Sequence, residues 1–88
     1  MKRIITVPLF LATVLLSANA IAAPKCTTAP QEQWISQDKM KQQILDQGYT
    51  IRIFKISGNC YEIYGKDKNG KNVEIYFDPT DGRIVKQR

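Results

Sequence analysis

The sequence predicts an α+β fold, with one N-terminal helix packed on a three- to four-stranded antiparallel sheet. Three observations carry this. From Gly48 to Val85 the chain alternates runs rich in β-branched and aromatic residues with turns built from Gly, Asn, Asp and Pro (GYTIRIFKISGNCYEIYGKDKNGKNVEIYFDPTDGRIV), the pattern of consecutive hairpins. The turns are short, so neighbouring runs pair antiparallel. Upstream lies one stretch of helical period, closed by a glycine.

In chain order, residues 1–22 have the three parts of a secretory leader: Lys2 and Arg3, an apolar run from Ile4 to Leu16, then small residues through Ala22. The run is short for a transmembrane helix, and cleavage is expected after Ala22. Pro24 and Lys25 precede Cys26, without the small residues that flank a lipid-attached cysteine. A free periplasmic or secreted protein is expected, with no stable membrane insertion after cleavage. Removing Lys2 and Arg3 takes the 13 basic residues to 11 against 8 acidic, and the net charge from +5 to +3.

Residues 23–33 (APKCTTAPQEQ) have two prolines and no apolar period, and read as an irregular arm before a domain at 34–88. So short a domain buries only about 60% of its unfolded surface and calls for a staple. The only two cysteines, Cys26 and Cys60, are expected to form a disulfide in the oxidising compartment, adding about 4 kcal/mol in the loop-entropy model. A redox pair or a metal site is disfavoured, since there is no C-x-x-C and no histidine.

Trp34 reads as a packed anchor before Ser36, an N-cap, with Asp38 in the first turn where the helix dipole favours a carboxylate. The helix is expected from near Gln37 to Gln47, with Met40, Ile44 and Leu45 as its apolar stripe and Gly48 as its stop. Strands are expected at Tyr49–Ser57, Cys60–Gly65 and Asn72–Phe77. Arg83-Ile84-Val85 forms a fourth extended piece, and Lys86-Gln87-Arg88 a short basic tail. In the first strand apolar residues fall on both parities, Ile51 with Ile53 and Phe54 with Ile56, so either both faces are partly covered or a bulge changes the phase.

Alternation places Tyr61, Ile63, Val73, Ile75 and Phe77 beneath the helix stripe as the core. Glu62, Tyr64, Glu74, Tyr76 and Arg52 take the other face with Cys60. The arm bearing Cys26 must then cross that face or the sheet edge.

No catalytic constellation is expected: without histidine, a serine or threonine lacks its usual base. Glu62 and Glu74 read as cross-strand partners of Arg52 and nearby lysines rather than an acid/base pair. Asp67, Asn69, Asp78 and Asp81 read as turn residues rather than calcium ligands, because the loop after Asp67 lacks the EF-hand spacing. No metal or cofactor is expected. Export and a charge of only +3 argue against a nucleic-acid partner.

Gly48-Tyr49, Tyr61-Glu62-Ile63, the Asn69-Gly70-Lys71 turn, and Asp78-Pro79 with Gly82 resemble, in their order and spacing, the PepSY domain in its small exported form. The resemblance covers residues 34–85. It implies a helix on an antiparallel sheet without a catalytic centre, and a relation to the propeptides of thermolysin-like metallopeptidases, with a proposed role in restraining peptidases. The expected function is therefore a non-catalytic protein-binding module whose partner is a peptidase or another envelope protein. The alternative is a periplasmic accessory or sensory input to a membrane redox or signalling system. Phe54, Tyr64 and Tyr76 are the candidates for the partner face, with β-strand addition at an open edge as a physical means of binding.

Overall fold

The computed structural model describes residues 22–88. The expected leader, up to residue 21, lies outside the described residues.

The arm runs without regular secondary structure to a 3-10 turn, Gln31–Gln33, and through Trp34 into helix α1, Gln37–Asp46. Ser36 caps this helix as expected, its hydroxyl accepting from the Lys39 amide at 3.2 Å. Gly48, at φ 99°, takes the left-handed conformation that turns the chain out of the helix at low steric cost. Four strands follow: β1 (Thr50–Ser57), β2 (Cys60–Lys66), β3 (Asn72–Phe77) and β4 (Ile84–Gln87). They form one antiparallel meander in the order β1-β2-β3-β4. The fold is thus α+β, with the helix against a four-stranded sheet.

Side-chain chemistry sets the turns. The Asp67 carboxylate accepts from the amides of Asn69 and Lys71, both at 2.9 Å, and Asp78 accepts from Thr80 N and Oγ1 at 2.8 and 2.6 Å. Asp81 accepts from the Arg83 amide at 3.0 Å. These are the local bonds that make Asp a turn residue.

The core lies between α1 and one sheet face: Met40, Ile44, Tyr61, Ile63, Val73, Ile75 and Phe77, flanked by Trp34, Ile35, Tyr49, Ile51 and Phe54. Trp34 is the expected anchor. Its ring stands edge-on to Tyr61 with centroids 5.3 Å apart, and its indole N–H donates to the Ala29 carbonyl at 3.1 Å. The Tyr61 hydroxyl donates to the Ile35 carbonyl at 2.6 Å.

Two expectations are corrected. Leu45 is 47% exposed, because it sits about 100° around the helix from Ile44 and misses the stripe set by Met40 and Ile44 at i and i+4. The C-terminal tail is no free end. Lys86 and Gln87 belong to β4, and the Arg88 N–H and C=O exchange hydrogen bonds with Glu74 at 2.9 and 2.8 Å.

The register resolves the phase of β1. Ile51 pairs with Gly65 and Ile53 with Tyr64, leaving Arg52 as the extra residue of a bulge. Ile51 and Phe54 consequently share the helix face despite opposite parity. Gly65 fits this crossing tightly: a Cβ there would overlap the carbonyl of Thr50.

Candidate functional site

The polar residues gather on the sheet face opposite the helix. Register makes two rows across the four strands. Lys55, Glu62, Tyr76 and Lys86 stand side by side, and next to them Ile53, Tyr64 and Glu74, with Arg88 completing the second row through its backbone bonds to Glu74. On β2 and β3 each carboxylate is therefore opposite a phenol.

One end of this face is closed by the arm. Cys26 and Cys60 form the expected disulfide, with Cα atoms 5.2 Å apart, and the Cys26 amide donates to the Asn59 side chain at 2.9 Å. Cys26, Cys60 and Tyr76 make a second small core, with Ala23 and Val85 packed against it.

The charges are compensated locally. The Arg88 guanidinium lies 3.1 Å from Glu74 Oε1, and Lys55 Nζ 3.9 Å from Glu62 Oε1. These two, rather than Arg52, are the partners of the carboxylates. The Tyr76 hydroxyl donates to Glu74 Oε2 at 3.1 Å. Glu62 is 1% exposed and its Oε2 has no hydrogen-bond partner, a costly arrangement for an ionised carboxylate.

Burial, followed by hydrogen bonding with Glu74, raises the Glu62 pKa above the usual carboxylate range. Glu74 moves down, chiefly through its hydrogen bond with Glu62 and helped by the charge of Arg88. The two carboxyl groups therefore shift apart, the buried one up and the partly exposed one down. Burial and then the two carboxyl groups push up the hydroxyls of Tyr76 and Tyr64.

The three aromatic candidates do not share one surface. Phe54 pairs with Ile63 and packs on Tyr61, centroids 5.0 Å apart, on the helix side; the bulge at Arg52 puts it there. Tyr76 is on the polar face but only 2% exposed, because the crosslinked arm lies against it. Tyr64 is half-buried on the polar face, with Lys55 Nζ 5.6 Å from its ring centroid.

Beside Tyr64 the face opens into a pocket of about 380 Å³, lined by Arg52, Tyr64, Gly65, Asn72, Glu74 and Arg88 among others. Arg88 went unrecognised in the sequence because the pairing of the last residues with Glu74 leaves no periodic signal. Arg52 was assigned to this face, but its bulge position requires the register.

Fold and face define a small helix-on-meander domain with a crosslinked N-terminal arm and a polar, partly open sheet surface. The chain belongs to the family described as peptidase propeptide and YPEB domain, the PepSY family, whose model matches residues 6–88. Domains of this family are propeptide- or inhibitor-like units associated with peptidases, typically extracellular or periplasmic, and the disulfide fits an oxidising compartment. No curated protein and no solved structure matches the chain.

Proposed function

We propose that this chain is an exported, non-catalytic protein-binding module that docks onto and restrains a peptidase. Tyr64 is its contact residue on the polar face, and Phe54 and Tyr76 shape the surface from the packed side and from beneath the arm. The observation that carries this reading is the open edge of β1. It is an eight-residue outer strand on which Ile53 and Ile56 are 42% and 40% exposed, and Ile53 stands next to Tyr64. An edge of unpaired backbone groups flanked by apolar side chains accepts an added extended strand, the conformation in which peptidases engage polypeptide. Membership of a propeptide family supports the same partner class.

The test is a pull-down from envelope extract with residues 23–88, disulfide formed, at low and high salt. Recovery of a peptidase that survives high salt and is lost in Tyr64→Ala supports restraint. Recovery of a sensor kinase or cytochrome subunit instead overturns it in favour of an accessory role.

A further inference from the structure

We propose that the pocket at the β1 bulge is a carboxylate-binding site, in which Arg52 and Arg88 hold the anion and Tyr64 and Asn72 orient it. The inference stands on the pocket alone and holds whether or not the domain restrains a peptidase.

The first observation is the placement of Arg52. A bulge re-aims the side chain of its extra residue, and here that residue is an arginine lining a pocket of about 380 Å³. Arg52 forms no ion pair among the described residues, whereas Lys55 on the same strand does. Gly65 accommodates the bulge, since its missing Cβ lets the Thr50 carbonyl approach.

The second observation is how Arg88 is held. Its backbone is fixed by two ladder bonds to Glu74 and its guanidinium by an ion pair at 3.1 Å. A guanidinium carries five N–H donors, and the single contact to Glu74 leaves donors for a ligand. Glu74 is the one carboxylate lining the pocket, and it is engaged by Arg88 and by the Tyr76 hydroxyl at 3.1 Å. Arg88 compensates Glu74, which leaves Arg52 as the lining cation without an ion-pair partner among the described residues.

A planar fork of N–H donors matches a carboxylate in a two-point contact that a point charge cannot copy. Tyr64 and Asn72 line the same pocket and carry neutral polar groups. A carboxylate on a polypeptide has two sources, an acidic side chain or the free C-terminus, and the same chemistry serves both.

The experiment is an amide-resolved NMR titration of residues 23–88, disulfide formed, at neutral pH and low salt. Four probes are used: N-acetyl-trialanine as free acid, its C-terminal amide, the α-amide of N-acetyl-aspartate with its side-chain carboxylate free, and inorganic phosphate. The proposal expects saturable shifts at Arg52, Tyr64, Gly65 and Asn72 with either carboxylate probe and none with the amide. The tighter of the two carboxylates names the source. Arg52→Gln weakens binding about tenfold, and Arg52→Lys fails to restore it in full. Tyr64→Phe costs a few-fold, as for one neutral hydrogen bond of about 1 kcal/mol converted to affinity. The spectrum of each variant reports its own folding, and Arg52, exposed and unpaired, is outside both cores. Equal shifts with the amide, binding unchanged in Arg52→Gln, or phosphate binding as tightly as either carboxylate each overturn the proposal.

Discussion

The two faces of one sheet are held by different physics. Under α1, seven buried residues from Met40 to Phe77 form a continuous apolar layer, stabilised by the area it removes from water. The opposite face has only Tyr76 and the two cysteines as a core, with Ala23 and Val85 against it, and most of its remaining positions are carboxylates, phenols and cations. There a covalent bond does what burial does on the other side, and the polar groups left uncovered are free to meet a ligand. A domain this small has too little apolar sequence to seal both faces, so it seals one and ties down part of the other.

The sharpest way to break the contrast is to remove the largest fully buried side chain of the apolar layer. Phe77→Ala is expected to cost about 3–5 kcal/mol, most of the stability of such a domain, read as a collapse of the urea midpoint with the disulfide still formed. Replacing both cysteines, Cys26→Ser with Cys60→Ser, is expected to cost about 2–4 kcal/mol. Hydrogen exchange then rises in the arm and around Tyr76, with the helix-face amides protected up to the reduced global limit.

A third change acts in the opposite direction. Glu62→Gln is expected to stabilise the protein near neutral pH by about 1 kcal/mol, because a buried orphan oxygen becomes part of a neutral amide. The sign follows from linkage. An acid raised in the folded state contributes its stability below the ordinary value of about 4.3, and loses it as the pH climbs through the raised folded value. Glu74, lowered, does the reverse: its contribution is present above about 4.3 and lost as the pH falls through its folded value. The variant should therefore flatten the decline of thermal midpoint with rising pH that linkage predicts for the wild type above the ordinary carboxylate range. Lys55, Tyr64, Tyr76 and Arg88 all face this pair and set the size of the effect. The smallest expected change is Leu45→Ala, within about 0.5 kcal/mol on the exposed side of α1, where a larger loss by urea titration would show that the apolar layer extends further than its buried residues.

Much of the helix face was legible before any coordinates, because periodicity reports it directly. The alternation of Tyr61, Ile63, Val73, Ile75 and Phe77, the Ser36 cap and the Gly48 stop each have a local cause. Leu45 was misjudged since a three-residue stripe on a short helix has an ambiguous edge. The polar face was only half legible. Parity put Glu62, Tyr64, Glu74 and Tyr76 together and implied that the arm would reach Cys60, but the depth of Tyr76 depends on how closely the arm lies against it. Phe54 fell on the wrong side because Arg52 and Phe54 look like alternate members of one row until the bulge is counted. Arg88 joins β3 through backbone bonds and an ion pair to Glu74, and residue spacing announces neither.

The crosslink also determines what happens when the chain is cut. Cys26 and Cys60 are 34 residues apart, and the ring they close contains α1 and β1 with their basic residues Lys39, Lys41, Arg52 and Lys55. A nick at any of these leaves two pieces joined through sulfur, still seated on the uncut β2–β4 meander. Such a molecule survives a first cleavage as one particle and migrates as a full-length species until a reductant is added, a useful property for a protein whose relatives are associated with peptidases.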